Sequence, residues 1–398
     1  MKAPKYIFFS DSRFSVDESR QVFTDVRHFS GDGWRRDLAD TIDLGIVGRV
    51  SPAVASDSMS QTSVPFIYEL PNYVGLVGLL RSLPRIIGVI FRAVREAEVV
   101  IVRLPGAVGL VAAAFAVFMR KPIAAEVVGD IEDVIRSGAT GWLLELALAP
   151  VVSLNRWVIK RCGVVRYMTR RTLQQKFPAS TSALSIGCSS VQLDSDWLAH
   201  RWEPRTATET RWTLITVGSQ EQHYKGHSYL IRAVRELVNN GYDVSLRLVG
   251  DGRLNGTLRE LARSLSLEDR VLFEGYVSDR LSLASKLQSS DVFVLPSLTE
   301  GMPRSLIEAM AIGMPAVGSQ VGGVVELLPQ TRRFAPADAT ACANAICSLI
   351  DESASHHIIS EQNRTIALNY SAEALDPLRE QWSVGVARLG NAGKLGPR

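Results

Sequence analysis

Short apolar runs rich in Val and Ile alternate along the chain with longer segments of helical periodicity. This alternation is typical of βαβ units, in which helices cover both faces of a parallel sheet. The pattern therefore predicts an α/β protein. In the first half, strands are predicted at residues 6–10, 43–47, 99–102, 123–128 and 164–169.

The same rhythm begins again after a segment that has no sustained periodicity. Residues 185–210 mix Ser, Thr, Asp and Pro, which is typical of a boundary between domains. From Trp212 onwards the pattern predicts a second doubly wound domain. Its strands are predicted at residues 213–218, 245–249, 271–273 and 291–295, and its helices at 227–239, 254–265 and 279–289. Ligands of such open sheets lie beyond the carboxyl ends of the strands, so two Rossmann-like domains that face each other would form one cleft.

Two apolar segments bear on secretion and membrane insertion. The basic start of the chain is followed by an apolar stretch of only about four residues, which ends at Asp11 and predicts a first strand rather than a signal peptide. The longest uncharged stretch, residues 104–119, falls short of the roughly 20 apolar residues of a membrane-spanning helix and contains Pro105. It predicts a buried helix.

Composition narrows the class of protein. The chain has 398 residues, of which 46% are hydrophobic and 21% are charged, a globular composition that excludes a disordered or fibrous protein. Its 44 basic and 41 acidic residues give a net charge of only +3, which excludes a dedicated nucleic-acid-binding protein. The four cysteines show no metal-binding spacing, and we expect free thiols in a reducing cytoplasm.

The most informative segment is residues 295–318, LPSLTEGMPRSLIEAMAIGMPAVG. It predicts a strand end, a turn that contains Glu300, and a helix opened by Pro303 and closed by Gly313. Glu300 and Glu308 are eight residues apart, and eight helical steps of about 100° bring the second carboxylate to within roughly 80° of the first. The amides of the first helical turn form an anion site. Carboxylates that can bind hydroxyl groups, beside amides that can bind phosphate, suit a nucleotide sugar as the ligand.

Residues 213–328 resemble the retaining GT-B glycosyltransferases of family 4. The resemblance rests on four motifs in the family's order: VGS(x5)KG at residues 217–226, LVGDG at 248–252, FEGYV at 273–277 and E-x7-E at 300–308. The first half matches the family only in the alternation of its strands and helices and in its length. The resemblance implies a GT-B fold, with two Rossmann-like, doubly wound domains facing a central cleft, and no cofactor.

The resemblance also implies roles for individual residues. Glu308 would bind the ribose hydroxyls, Glu300 would face the donor sugar, and Lys225 would neutralise the diphosphate leaving group. The other donor-binding residues implied in this way are Gly218, Ser219, Gly275, Val277, Gly301, Met302, Arg304 and Ser305. In the first half, Asp130 lies close to where relatives often carry a histidine near the reacting centre. It is a catalytic candidate, with a loop acid or a helix cap as the alternative.

The chain departs from the family's pattern at two donor-site positions. Ser219 stands where many relatives have Arg, so one phosphate cation is missing or is replaced, with Arg304 as the candidate. Pro303 stands where many relatives have Gly and offers no N–H, so one sugar contact must differ. A departing nucleoside diphosphate develops negative charge, which cations and oriented amides would meet without a metal. Asp194 and Asp196 spell D-x-D but follow no predicted strand end, so no metal site is predicted.

The resulting interpretation is a retaining, metal-independent hexosyltransferase. An acceptor domain is expected at residues 1–195, a nucleotide-sugar domain at 205–370, and a C-terminal helix and tail that cross back to the first domain at 371–398. The enzyme would move a sugar from a UDP- or GDP-sugar to a hydroxyl of a glycan or lipid-linked acceptor in cell-surface polysaccharide biosynthesis. Two alternatives stay open: a non-catalytic nucleotide-sugar or membrane-binding partner of a polysaccharide-assembly complex, and a nucleotide-sugar epimerase of the same fold.

Basic residues are concentrated in the first half. Residues 81–176 contain 15 basic and seven acidic residues, a net charge of +8. Arg156, Lys160 and Arg161 lie near Trp157, and basic side chains beside aromatic ones suit an anionic bilayer surface. We therefore predict a cytoplasmic protein that is peripheral on the inner face of the cytoplasmic membrane. The alternative is an ordinary helix face in water.

Overall fold

The computed structural model describes residues 5–17, 21–24, 34, 37–38, 43–52, 60–62, 66–72, 75–136, 148–204 and 211–392. Within these residues the chain forms two compact units. The first unit comprises the described residues of Met1–Ile131, Ala149–Ser190 and Asp376–Arg398, and the second comprises those of Glu132–Leu148 and Val191–Leu375.

The first unit is built on a largely parallel sheet. Its strands are β1 (Tyr6–Val16), β2 (Val22–Thr24), β3 (Leu44–Pro52), β4 (Ser60–Gln61), β5 (Phe66–Pro71), β6 (Val99–Leu104), β7 (Ile123–Val127), β8 (Val164–Tyr167) and β9 (Leu184–Gly187). Among the described residues, the parallel strands stand in the order β5-β3-β1-β6-β7-β8-β9, and β2 and β4 are added antiparallel beside the end of β1. Strands β6, β7 and β8 are buried along nearly their whole length, as expected for a sheet covered on both faces.

Helices connect these strands. They are α1 (Gly75–Glu96), α2 (Ala107–Phe118), α3 (Ile131–Arg136), α4 (Leu148–Ile159) and α5 (Thr172–Lys176), of which α3 belongs to the second unit from Glu132 onwards. Helix α2 corrects one prediction, because the apolar segment 104–119 is not a fully buried helix. Val108, Ala112 and Ala116 are buried, whereas Val111 and Phe118 on the opposite side are exposed.

The second unit has a sheet that is parallel throughout its described strands. These are β10 (Trp212–Val217), β11 (Val244–Val249), β12 (Val271–Gly275), β13 (Val292–Leu295), β14 (Ala316–Ser319) and β15 (Arg333–Phe334), in the order β12-β11-β10-β13-β14-β15. The helices are α6 (Ser195–Ala199), α7 (His227–Asn239), α8 (Asn255–Ser264), α9 (Arg280–Gln288), α10 (Arg304–Ala311), α11 (Val324–Leu327), α12 (Ala339–Asp351) and α13 (His356–Ala367). All strands and helices predicted from residue 212 to residue 295 are present, with ends shifted by at most two residues.

Each face of this second sheet has its own hydrophobic core. Successive strand residues point to opposite faces, so Ile215 and Phe293 lie in one core whereas Leu214 and Val292 lie in the other. The first core also contains Trp197 and Trp202. Their indole N–H groups donate to the carbonyl oxygens of Glu308 (2.9 Å) and Ser290 (2.7 Å). Part of the segment predicted as a boundary is thus packed into the second unit.

The last helix, α14 (Ala372–Ala392), belongs to the first unit from Asp376 onwards. Arg379 Nε lies 3.2 Å from Asp37 Oδ1, and both side chains are buried. At Gly390 an added Cβ would contact the ring of Tyr6 at the start of β1. The helix therefore packs closely against the amino-terminal end of the first sheet. Nowhere in the described part of the chain does a helix combine the length and the hydropathy needed to cross a membrane.

Candidate active site

Two loops meet at the carboxyl ends of the adjacent strands β10 and β13. The loop after β10 includes Tyr224, whose carbonyl oxygen accepts a 2.7 Å hydrogen bond from the amide of Leu298 in the loop after β13. Gly226 has φ +73°, and a Cβ at this position would collide with the carbonyl oxygen of Pro296. Only glycine permits both this backbone conformation and this close approach. The KG motif therefore fixes the first loop against the second.

The closely connected loops bring Lys225 and Glu300 together. Lys225 Nζ lies 2.6 Å from Glu300 Oε1, and the hydroxyl of Ser297 donates to the same oxygen at 2.7 Å. The Lys225 and Glu300 side chains are 25% and 12% exposed. Two donors to one carboxylate oxygen hold Glu300 in a defined orientation, while the lysine stays accessible to an anion. The prediction did not include Ser297, which has no special signal in the sequence.

Two adjacent glycines, Gly322 and Gly323, pack against the backbone of the turn that contains Glu300. The amide of Gly323 donates to the carbonyl oxygen of Gly301 at 2.7 Å, and a Cβ at Gly322 (φ +42°) would collide with the carbonyl oxygen of Glu300. A Cβ at Gly323 would lie 2.9 Å from the sulfur of Met302. The role of these glycines was not predicted. The available signal is that two glycines are adjacent, because glycine permits close backbone approach.

Glu308 lies on α10, whose first helical residue is Arg304. Its carboxylate is mostly buried and lies 3.9 Å from the Arg304 guanidinium, one helical turn away. The amides of the first turn, including that of the half-buried Ser305, point towards the same end of the helix. Pro303 precedes the helix and contributes no N–H. The helix start therefore combines amide donors, one cation and one carboxylate.

The loop after β10 is also tied to the loop after β11. Gly250 has φ +133°, and a Cβ there would collide with the carbonyl oxygen of Gly218. The buried side chain of Gln220 donates to the carbonyl oxygen of Gly250 at 2.8 Å, and the amide of Gly250 donates to the carbonyl oxygen of Gly275 at 2.8 Å. Ser219 is exposed at the tip of the first loop. The loops that follow β10, β11 and β12 therefore form one connected surface. The contribution of Gln220 to this surface was not predicted.

His227 lies directly beneath this surface. It is buried, and its Nε2 is 3.7 Å from the point where a Cβ on Gly218 would lie. Burial, and secondly the charge of Lys225, lower the pKa of His227 to about 4. The imidazole is therefore neutral near pH 7, so it does not compete with Lys225 for an anion.

The other predicted residues lie elsewhere. Val277 follows β12, partly buried against the core that contains Trp197. Asp130 follows β7 in the first unit, where its buried carboxylate forms an ion pair with Lys176. The role of Asp130 at the reacting centre stays a prediction.

The three basic residues chosen for a membrane surface are exposed near the end of α4. The Arg161 guanidinium lies 3.8 Å from the centre of the Trp157 ring, and that of Arg156 lies 5.6 Å from the centre of the Phe177 ring. Lys160 is exposed between them. The aromatic contacts orient two of the three cations.

The D-x-D sequence has a structural role. Asp194 accepts a 2.8 Å hydrogen bond from the amide of Trp197 and so caps α6, and it forms a 2.6 Å ion pair with Arg280. Across the described residues, no group of three or more His, Cys, Asp or Glu side chains is placed to hold a metal ion. The metal independence of the reaction stays a prediction.

Comparisons with known proteins show what the chain is similar to in sequence. Residues 211–352 match the family model described as Glycosyl transferases group 1. The chain is 27% identical over 292 residues to Protein CapJ of Staphylococcus aureus, covering 73% of this chain and 72% of CapJ. It is 31% identical over 163 residues to the putative colanic acid biosynthesis glycosyltransferase WcaL of Salmonella typhimurium, covering 38% of this chain and 40% of WcaL.

Solved structures are similar over nearly the whole chain. A sucrose-phosphate synthase from Thermosynechococcus elongatus has a TM-score of 0.64 at 18% identity, covering 97% of this chain and 99% of the synthase. Anabaena HepE in complex with UDP and glucose has a TM-score of 0.61 at 16% identity, covering 96% and 99%. The predicted α/β class and GT-B fold with two parallel-sheet domains are confirmed. The predicted resemblance to the group 1 glycosyltransferases is also confirmed, by the family match at residues 211–352 and by the similarity to these relatives.

Proposed function

We propose that the protein transfers a sugar from a nucleoside diphosphate sugar to a hydroxyl group of a glycan or lipid-linked acceptor, with retention at the anomeric carbon. The observation that carries this proposal is the Lys225–Glu300 pair, held at 2.6 Å beside the start of α10 and its buried Glu308. Cation, amides and carboxylates match in type the diphosphate and hydroxyl groups of such a donor.

Each group has a separate task in this proposal. Glu308 accepts hydrogen bonds from the ribose hydroxyls, and the amides at the start of α10 bind phosphate oxygens. Lys225 moves from Glu300 to the diphosphate as negative charge develops on the leaving group. Glu300, held by Ser297, then faces the donor sugar. Arg304 supplies the second phosphate cation that Ser219 cannot supply.

The remaining assignments complete the donor site. Backbone atoms at Gly275 and Val277 contact the base. Asp130 is assigned to the reacting centre from the first unit. The other residues assigned to contact the donor are Gly218, Gly301, Met302 and Ser305. The HepE structures with UDP support a uridine nucleotide, with GDP as the alternative.

The cellular setting is also a proposal. The similarity to a protein named for colanic acid biosynthesis supports a role in cell-surface polysaccharide synthesis. The acceptor is then a growing glycan, free or lipid-linked, at the cytoplasmic face of the membrane. Arg156, Lys160 and Arg161 would bind the anionic lipids of that face.

Release of nucleoside diphosphate from a panel of UDP- and GDP-sugars, with and without membrane extract, tests the proposed reaction. We expect release that depends on one donor and increases with extract. Lys225→Met should lower turnover strongly, whereas Arg270→Met, which breaks a 2.6 Å ion pair with Asp243 at the opposite end of the sheet, should not. Nucleotide binding without any release would favour the non-catalytic partner. A new sugar epimer formed without acceptor would favour the epimerase.

Metal independence has its own test. Lys225 and the amides of α10 provide positive charge for the diphosphate, so turnover should persist in excess chelator. Asp194→Ala should retain activity because Asp194 caps α6 rather than binding a metal. Loss of turnover in chelator, restored by magnesium or manganese, would contradict this part of the proposal.

A further inference from the structure

Helices α1 and α2 of the first unit expose large apolar side chains. Between 37% and 83% of each of these side chains is exposed. We call this set the apolar face, and its members are Leu80, Leu83, Ile87, Phe91, Val111 and Phe118. The rings of Phe91 and Phe115 meet edge to face with centres 5.4 Å apart, which joins α1 to α2. The six side chains therefore belong to one pair of packed helices.

Helix α2 is unusual for a helix at a protein surface. It has no charged residue between Ala107 and Phe118. An all-apolar helix normally lies inside a protein or in a membrane, yet Val111 and Phe118 face outwards. With 12 residues it is far shorter than the roughly 20 residues needed to cross a bilayer. Its exposed apolar side chains therefore face water unless a partner or a membrane surface covers them.

Helix α1 places cations directly beside the apolar face. At about 100° per residue, its four exposed apolar side chains fall within roughly 80° of the helix circumference. The adjoining sector of the same helix contains Arg81, Arg85, Arg92 and Arg95, all exposed. Arg92 pairs with Glu96 at 2.9 Å. From residue 75 to residue 121 there are seven basic and two acidic residues. An apolar stripe bordered by arginines matches the interface between lipid tails and anionic headgroups.

The topology places α1, α2 and α4 on one side of the first sheet. The connections β5–α1–β6, β6–α2–β7 and β7–α4–β8 join parallel strands and all proceed in the same direction across the sheet. Such connections are right-handed in about 98% of cases, which puts their helices on the same face. The exposed cations of α4, including Arg156 and Lys160, therefore share a side of the sheet with the apolar face.

We propose that the apolar face inserts into the headgroup region of an anionic lipid bilayer, with the adjoining arginines bound to lipid phosphates. The other obvious occupant is a second copy of the chain. A symmetric dimer would place the same patch on both sides of the contact. The arginine-rich sectors of the two copies would then approach each other, and the second copy would bring no additional acidic residues to balance their charge. Charge complementarity therefore favours anionic lipid. This inference goes beyond the donor site and does not depend on it.

Cosedimentation with vesicles tests the inference. The vesicles contain either phosphatidylcholine alone or equal parts of phosphatidylglycerol and phosphatidylcholine, at low and high salt. The parent protein should bind the anionic vesicles, and part of this binding should persist at high salt because apolar insertion is not screened. The combined variant Leu80→Gln, Ile87→Gln and Phe118→Gln should lower the partition coefficient about tenfold or more.

A matched control removes three exposed apolar side chains from the second unit. Leu272→Gln, Ile358→Gln and Leu368→Gln should leave vesicle binding unchanged. Thermal unfolding and circular dichroism show whether each variant is folded, and none of these readouts uses a nucleotide. Failure of the donor assignment would therefore not alter the result. Equal binding by the apolar-face variant and the parent, or no binding by the parent, would overturn the proposal. A dimer that only the apolar-face substitutions dissociate, without vesicle binding, would assign the face to a second copy.

Discussion

Glu308 shows how a single carboxylate can be placed for recognition at a cost in desolvation. Its neighbours on α10 from Leu306 to Ala311 are apolar and buried, and its own side chain is mostly buried. A buried carboxylate is unfavourable unless charged or hydrogen-bonding groups compensate it. Arg304, at 3.9 Å, is one such group, and in our proposal the ribose hydroxyls are another.

Glu308→Ala should weaken nucleotide binding much more than it weakens the fold. The helix accepts alanine well, and Arg304 can turn to solvent. Loss of a charged hydrogen-bonding partner should cost roughly 1.5 to 3 kcal/mol of UDP affinity. Isothermal titration calorimetry measures the affinity, with Glu260→Ala, an exposed helix glutamate of the same unit, as the control. Unchanged UDP affinity would remove Glu308 from the donor site.

His227 should make stability depend on pH. Its pKa of about 4 in the folded protein, lowered first by burial and then by Lys225, is below the value of about 6.5 expected when unfolded. Between these values the unfolded chain binds more protons, so the contribution of His227 is complete above pH 6.5 and is lost as the pH falls towards 4. The loss should be on the order of 3 kcal/mol.

Thermal unfolding across this pH range measures the effect. His227→Gln should flatten the curve relative to the parent, whereas His223→Gln, at an exposed position two residues before Lys225, should not. Curves with the same slope for His227→Gln and the parent would show that His227 is not the group that titrates.

At the scale of secondary-structure elements, the local sequence pattern predicted the helices and strands whose conformation depends mainly on their own residues. Helix α7 was predicted at residues 227–239 and occupies them, because its apolar positions repeat with helical period. The burial of Trp197 and Trp202 was not predictable in this way, since it depends on contacts with residues about 90 to 110 positions away. The exposed side of α2 was missed for the same reason. The hydrophobicity of a helix does not show which of its faces is covered by other residues.

The candidate site was predictable to a similar degree. The motifs identified Lys225 and Glu300, and the structure places them 2.6 Å apart. The groups that support them were missed. Gly322 reaches the Glu300 turn only because β13 and β14 are neighbours in the sheet, and this pairing is a tertiary contact.

Gly322→Ala should disturb the turn that holds Glu300. Its φ of +42° disfavours a side chain, and the new Cβ would collide with the Glu300 carbonyl oxygen. We expect a loss of stability of about 1 to 3 kcal/mol and a large loss of turnover. Gly256→Ala is the control, since α8 leaves open space around that position and alanine favours a helix. The idea fails if both variants release nucleoside diphosphate at the parental rate.

At the scale of the whole molecule, charge and donor chemistry belong to different parts of the chain. The net charge is +3 overall but +8 within residues 81–176. The proposed donor groups, by contrast, lie almost entirely in the second unit, at residues 218–308. Binding to a membrane surface and binding of nucleotide should therefore be separable by mutation.

Reversal of three charges on the first unit tests this separation. Each basic residue near an anionic surface contributes on the order of 1 kcal/mol, screened over about 8 Å at physiological salt. Changing Arg156, Lys160 and Arg161 to Glu should therefore release the protein from phosphatidylglycerol vesicles at low salt and leave UDP affinity unchanged. The control changes Arg232, Arg259 and Arg263, three exposed cations of the second unit, to Glu. Because both variants alter the net charge equally, selective release of the first would assign the effect to position rather than to total charge. Equal release of both variants would return Arg156, Lys160 and Arg161 to the role of an ordinary solvated helix face.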